Sequence, residues 1–316
     1  MKVIYDISSA KIKLPVATIG IFDGVHKAHA EIIKKCRNIA DEISGETVLV
    51  TLWPHPRKIF HEGEDGFKLL NSLEEKINLL DNRGIDNLVV LNFDRKFAAT
   101  EFENFVKDIL VDGLNISHLV VGYNHQFGKN REGNYEKLVV LAEKYKFGLT
   151  QLEPFLMDNE KVSSTKIRNL ILDGDIQRAN QFLGYDFFLS GRVIGGNKKG
   201  REIGFPTANI SVDDSYKIIP RNGVYAVFAN VGGNRYEGMM NIGCRPTLDG
   251  DCSQPILEVN LFDYAGNLYD KEIRLRFIQR IREEQKFENM EKLASQITQD
   301  KILVKDILAS VKKKRF

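Results

Sequence analysis

Two histidines three residues apart, His26 and His29, follow the apolar run VATIGIF at 16–22. On a helix that spacing puts both rings on one face, where two imidazoles can hydrogen-bond the oxygens of a single phosphate chain. The same spacing could equally serve to cap or pack a helix. Zinc is the weaker reading, because no HExxH pattern and no neighbouring cysteines accompany the pair. Ser163, Ser164 and Thr165 open a helical pattern with Arg168 one turn in. Hydroxyls at a helix start followed by a guanidinium suit the β- and γ-phosphates of a nucleotide. A third stretch, GRVIGGNKKGREIGFPTAN at 191–209, combines repeated glycines with Lys198, Lys199 and Arg201. A loop rich in glycine, here including Gly196, Gly200 and Gly204, can turn its amides inward around phosphates while the bases add counter-charge. Thr207 and Asn209 alternate onto one face of an extended segment and could give oxygen ligands to magnesium and ATP.

These groups need a scaffold, and the chain alternates two kinds of period. From residue 16, the runs VATIGIF, TVLVTLW, NLVVLNF, SHLVVG and GLTQLE read as strands, mostly continuous in apolar character, as a sheet covered on both faces requires. Helical patterns lie between them: Ile32, Ile33, Cys36, Ile39, Ala40 and Ile43 share one face, and Ser72 with Glu75 forms a capping box at the start of another helix. This β-α alternation predicts a doubly wound, Rossmann-like parallel sheet with ligands beyond the carboxyl ends of its strands. Two short helices follow at 163–172 and 175–183, separated by Asp173-Gly174-Asp175, a stop followed by a new N-cap. From about Phe187 the β-rich segments succeed one another without helices, predicting an antiparallel sheet or small barrel, and a closing helix starts near Asn289. The boundary falls near 185, giving domains 1–184 and 185–316.

The His26/His29 pair and the serine-rich segment together resemble the nucleotidylyltransferases that carry an HxGH motif and a late serine-rich motif. TLWPHP at 51–56 and VGYNHQFG at 121–128 narrow the class, and GFPTAN in its glycine setting resembles the riboflavin kinase signature. PRNGVY at 220–225, MNIGCRPT at 240–247 and LEVNLFD at 257–263 extend that resemblance. Over nearly its whole length the chain is similar to the bacterial bifunctional riboflavin kinase/FAD synthetase family. The resemblance implies an α/β N-terminal FMN adenylyltransferase domain and a C-terminal antiparallel β-barrel riboflavin kinase domain with a terminal helix. It implies that His26, His29, Ser163, Ser164, Thr165 and Arg168 handle ATP phosphates, and that His55, Asn124 and Arg201 belong to flavin sites. In the kinase half, Gly196, Lys199, Gly200, Gly204, Thr207 and Asn209 would bind ATP, Thr207 and Asn209 would hold Mg2+, and Glu258 would be the base that deprotonates the terminal ribityl hydroxyl of riboflavin. Two departures stand out. The family's HxGH reads His26-Lys27-Ala28-His29 here, and its VGxDFRFG element has Asn124, His125 and Gln126 at the acidic, aromatic and arginine positions.

Composition bounds the alternatives. The chain has 316 residues, a formal net charge of +2, 43% hydrophobic and 28% charged residues. That is enough apolar material for two cores and too little net charge to imply nucleic acid as a partner. No apolar run approaches the ~18 to 20 residues of a bilayer span, which points to a cytoplasmic protein, and the resemblance implies small-molecule substrates. The three cysteines, Cys36, Cys244 and Cys252, suggest packing residues in a reducing compartment rather than a disulfide framework. A monofunctional riboflavin kinase with a degenerate N-terminal half is the first alternative. A flavin-responsive RNA-binding regulator, using the basic end Lys312-Lys313-Lys314-Arg315, is the second. Oligomeric state is not legible in the sequence.

Overall fold

The computed structural model describes residues 1–60, 67–123, 128, 132–195, 204–244 and 255–314, and the chain divides into two compact units, Met1–Ser164 and Thr165–Phe316. The first unit is built on strands β1 (Lys2–Ile4), β2 (Val16–Ile19), β3 (Thr47–Trp53), β4 (Asn87–Asn92), β5 (His118–Gly122) and β6 (Gly148–Leu152). They form one parallel sheet in the order β1-β4-β3-β2-β5-β6. Every expected strand is present. The addition, β1, is three residues long and too short to stand out by pattern. Helices α1 (Lys27–Glu42), α2 (Pro56–Phe60), α3 (Leu73–Asp81), α4 (Arg95–Ala98), α5 (Phe102–Phe105) and α6 (Tyr135–Tyr145) link the strands, and α5 runs on into a π-helical stretch, Val106–Gly113.

Neighbours along one strand belong to different cores, which explains the unbroken apolar runs. Val48 and Val50 pack with Leu119, Phe105 and Leu110 on one face of the sheet, whereas Leu49 packs with Ile33, Leu80 and Leu88 on the other. Strand β2 lies between β3 and β5, with the earlier strands stacked outward on one side and the later ones on the other. The carboxyl end of β2 is therefore at the reversal of strand order, where open α/β sheets bind ligands. A two-stranded hairpin, β7 (Leu156–Met157) and β8 (Glu160–Lys161), closes the unit.

The division between the units falls after the first residue of α7 (Ser164–Asp173); in the second unit the rest of α7 and α8 (Ile176–Leu183) precede β9 (Phe188–Ile194), β10 (Ala208–Ser211), β11 (Gly223–Val231), β12 (Asn234–Cys244), β13 (Pro255–Leu261) and β14 (Glu272–Arg282). These strands close into an antiparallel barrel in the order β10-β13-β12-β11-β14-β9. The expected stop between the helices is present: Gly174 has φ +85°, and the Asp175 side chain accepts the amide of Arg178 at 3.1 Å. The change of period near 185 falls downstream of the division between the units because α8 packs on β14. Asn180 makes that attachment specific, donating to the Phe277 carbonyl at 2.8 Å and accepting the Phe187 amide at 2.7 Å.

On one face of the barrel wall Val224, Ala226, Phe228 and Met239 are covered by Val304 and Leu308 of the terminal helix α9 (Met290–Lys314). Arg282 fixes that helix, donating from Nε and Nη2 to the Asp300 carboxylate at 2.7 to 3.0 Å, while Gln296 donates to the same group at 3.0 Å. The reading of the cysteines needs correction. Cys36 is a buried thiol, pushed up to about 12 by burial, but Cys244 is disulfide-bonded, and Cys252 lies outside the described residues. An isolated cysteine carries no pairing signal of its own in sequence.

Candidate active sites

The first site is built where β2 meets α1. Between them the backbone takes positive φ at Phe22 (+51°), Gly24 (+85°) and Val25 (+36°). Glycine tolerates this region freely, but for a β-branched valine it is a true outlier, with strain of ~1 to 3 kcal/mol per such residue that surrounding contacts must hold. Those contacts are present. The Ile21 carbonyl accepts from the ammonium of Lys76 at 2.7 Å and the hydroxyl of Thr51 at 3.2 Å. The buried Asp23 carboxylate accepts the amides of Leu70 and Asn71 at 3.0 and 3.3 Å, and the Asp23 carbonyl accepts from Ser164 Oγ at 2.9 Å. The capping box of α3, with Ser72 and Glu75 bonded reciprocally at 3.1 Å, ends the segment that grips Asp23.

This loop delivers the two histidines. His26 is the N-cap of α1 and is buried; its Nδ1 accepts the amide of His29 at 3.4 Å, so a neutral ring carries its proton on Nε2. The rings of His26 and His29 are stacked, centroids 3.6 Å apart and 14° from parallel, and Phe22 flanks His29 at 4.6 Å. Among the described residues, the buried Nδ1 of His29 has no hydrogen-bond partner. Burial holds the His29 imidazole well below its ordinary range, and the charges of His26 and Lys76 act in the same direction. An unpartnered ring nitrogen with a second imidazole against it, at the start of a helix, makes a place for an anion.

The other predicted residues of this half are placed unevenly. Ser164 is joined to the β2 loop through Asp23, as above. Arg168 donates to Thr165 Oγ1 at 3.5 Å, and both belong to the second compact unit; Ser163 lies just before α7. His55, beyond the end of β3, accepts the Arg57 amide at 3.0 Å and lies 4.7 Å from the Phe67 ring. Asn124, His125 and Gln126 lie outside the described residues. His118 is bonded to Thr150 at 2.8 Å, in keeping with a packing role.

The second site is on the barrel. Strand register sets Asn209 opposite Glu258 and Glu258 opposite Asn241, so three polar side chains form one row across β10, β13 and β12. The row continues through Val224 to Arg282, the residue that anchors α9. Beside it lies a cavity of about 400 Å³ whose walls include Ile194, Pro206, Thr207, Asn209, Tyr264 and Tyr269. Asn260, buried on β13, donates to the Pro206 carbonyl at 2.7 Å and so fixes the turn that presents Thr207. Gly204, at φ +79°, has open space where a side chain would be, so backbone conformation is what calls for glycine there. Gly196, Lys199, Gly200 and Arg201 lie outside the described residues.

Sequence reasoning missed Lys76, Asn241, Asn260 and the Arg282–Asp300 bridge. Asn241 and Asn260 lie within the quoted stretches MNIGCRPT and LEVNLFD but had no role assigned, and Lys76 left a signal of its own. It occupies the buried phase of α3, with Leu73 and Leu80, where an apolar residue is ordinary.

Comparison with known proteins is consistent across the chain. The FAD synthetase family model matches residues 9–166 and the riboflavin kinase family model matches residues 183–308. A Bacillus subtilis protein named bifunctional riboflavin kinase/FMN adenylyltransferase is 38% identical over 287 residues, 90% of each chain. An Escherichia coli K12 protein of the same name is 34% identical over 310 residues, 98% of this chain and 97% of its own. A crystal structure from Streptococcus pneumoniae, described as a macrolide-efflux protein, superposes with a TM-score of 0.86 at 27% identity, covering 96% of this chain and 98% of that one. No helix among the described residues of this chain is long and apolar enough to cross a membrane.

Proposed function

This chain belongs to the family of bifunctional riboflavin kinases/FMN adenylyltransferases, and from that membership we infer that it catalyses two successive reactions. The γ-phosphoryl group of ATP is transferred to riboflavin, giving FMN and ADP. The AMP moiety of a second ATP is transferred to FMN, giving FAD and pyrophosphate. The observation that carries this reading is that both family models match, one on each side of the change from parallel sheet to barrel. It favours this reading over the monofunctional and RNA-binding alternatives.

For the kinase reaction we assign Glu258 as the base. Its neighbours in the row, Asn209 and Asn241, carry amides that can bind hydroxyl groups, and in this assignment its carboxylate takes the proton as the ribityl oxygen attacks phosphorus. The adjoining cavity is the proposed ATP pocket. Thr207 and Asn209 offer neutral oxygens, and among the described residues no group of three His, Cys, Asp or Glu is gathered to hold a metal. That donor set fits magnesium, which keeps several waters and takes most of its remaining ligands from phosphates. When bound, the ion would supply charge neutralisation for the phosphates; with it would act Gly196, Lys199, Gly200 and Gly204, and we assign Arg201 to flavin binding.

For adenylyl transfer we assign His26 and His29 to the phosphates of ATP, with Ser163, Ser164, Thr165 and Arg168, and we assign His55 and Asn124 to the flavin. The enzyme supplies no covalent nucleophile: the FMN phosphate attacks the α-phosphorus directly, and the imidazoles stabilise charge as pyrophosphate leaves. We place this activity in residues 1–184 and the kinase in 185–316, in a cytoplasmic protein. Incubating purified protein with riboflavin, excess ATP and magnesium, then separating flavins by chromatography, tests the whole scheme. FMN should rise and give way to FAD; FMN that persists without FAD would reduce the chain to a kinase.

A further inference from the structure

The loop that carries the histidines is held by one group that the two reactions, as assigned above, leave unused. Lys76 lies in the buried phase of α3, 2% exposed, with its ammonium on the Ile21 carbonyl at 2.7 Å and 5.4 Å from the Trp53 ring centroid. We propose that Lys76 is a positioning residue for adenylyl transfer, fastening the left-handed loop between β2 and α1 so that the His26–His29 stack meets the triphosphate of ATP. The inference rests on the adenylyltransferase reading of the first unit.

Three observations support it. The loop residues that follow Ile21 have positive φ at Phe22, Gly24 and Val25, and such a conformation persists only where its flanks are tied down. Lys76 and Thr51 hold the carbonyl before it, and Leu70 and Asn71 hold Asp23 inside it. The position itself favours an apolar residue, since burial lowers the Lys76 amine from 10.5 to about 8 against the opposing pull of Asp23. A charge kept there at the expense of stability calls for a role besides packing. Finally, the charge reaches the site: Lys76 is among the groups, after burial and His26, that hold the His29 imidazole uncharged. Among the described residues, the charged or titratable groups near it include Asp23 on the loop, His26 and His29 on α1, and Lys58, whose ammonium lies 5.2 Å from the Trp53 ring centroid.

The test uses the full chain with Lys76→Met, close in length and without charge, and Lys76→Arg, which keeps a donor and a charge. With FMN, ATP and magnesium, Lys76→Met should lose about tenfold to hundredfold in kcat for FAD formation, as displaced reacting groups do, with a smaller change in KM for ATP. Phosphorylation of riboflavin should stay within about twofold of wild type, since the second unit is untouched, and Lys76→Arg should recover part of the loss. The His29 ring titration, followed by NMR, should move to higher pH in Lys76→Met, a change that loss of packing alone would not produce. Wild-type FAD formation in Lys76→Met, an equal fall in both activities, or an unmoved His29 midpoint would each overturn the proposal while leaving the reaction assignment standing. A wild-type protein that forms no FAD would overturn the adenylyltransferase reading, and this inference with it.

Discussion

At the scale of single residues, a base is distinguished from its neighbours by what an isostere cannot do. Gln in place of Glu258 keeps size and hydrogen-bonding capacity but cannot accept a proton. Glu258→Gln should therefore lower turnover of riboflavin to FMN by about 10² to 10⁴, read by flavin chromatography, with an unchanged melting temperature because the side chain is only half buried. Near-normal turnover would show that another group takes the proton. Ala28 poses the opposite question. It occupies the second position of α1, between the stacked histidines in sequence, where the family pattern has glycine. If that methyl group opposes the nucleotide, Ala28→Gly should lower KM for ATP in FAD formation by about tenfold, the equivalent of ~1.4 kcal/mol. The helix would lose up to ~1 kcal/mol of stability in return. His29 gives a pH prediction with a definite sign. Its folded-state value lies below the ordinary 6.5, so the unfolded chain binds more protons between the two values. Stability is full above about 6.5 and declines as pH falls through the lower folded value. His29→Asn should flatten that acid-side decline, measured as the difference between variant and wild-type denaturation midpoints at neutral and mildly acidic pH.

At the scale of elements, the helix α3 shows stability and function opposed. The amine of Lys76 is lowered from 10.5 to about 8, so the charged form is penalised below about 8 and the penalty vanishes as pH rises past 10.5. At 1.36 kcal/mol per pH unit the gap corresponds to roughly 3 kcal/mol at neutral pH, less what the bond to Ile21 returns. Lys76→Met should thus melt higher than wild type at pH 7 and lose that advantage toward pH 10.5, even as it loses FAD formation. A lower melting temperature at pH 7 would refute this balance. The same helix shows what sequence can and cannot disclose. Its capping box, Ser72 and Glu75, is local and was legible, as were strands such as Thr47–Trp53, whose residues are apolar on both faces. The alternation of Thr207 and Asn209 was legible too, because a period of two needs no partner. Lys76 finds its acceptor 55 positions away at Ile21, and Glu258 finds Asn241 only through the register of β12 and β13. Such contacts depend on closure of the fold. Strand Lys2–Ile4 escaped for a related reason, being three residues long and recognisable only by what it pairs with.

At the scale of the whole molecule, the question is whether two chemistries in one chain are separable. The contacts named for the histidine loop join residues of the first unit, and those named for the barrel row join residues of the second. Thr51, Leu70, Asn71, Lys76 and Ser164 hold the histidine loop in the first, while the Asn209–Glu258–Asn241 row and the Asn260 tether lie in the second. Substitutions that share no partners act additively, so damage to one site should leave the other intact. Glu258→Gln should then convert FMN to FAD at the wild-type rate while failing on riboflavin, and His29→Asn should convert riboflavin to FMN and stop there. Mixed in one vessel with riboflavin, ATP and magnesium, the two variants should restore FAD, but only after a lag in which free FMN builds up in solution. Wild-type protein at the same concentration of each active site provides the comparison. A mixture that makes no FAD, although each variant keeps its own reaction, would mean that FMN does not leave one molecule to enter another. Variants that each lose both activities would instead show that the two sites depend on one another energetically, and the assignment of separate machinery to the parallel sheet and the barrel would have to be abandoned.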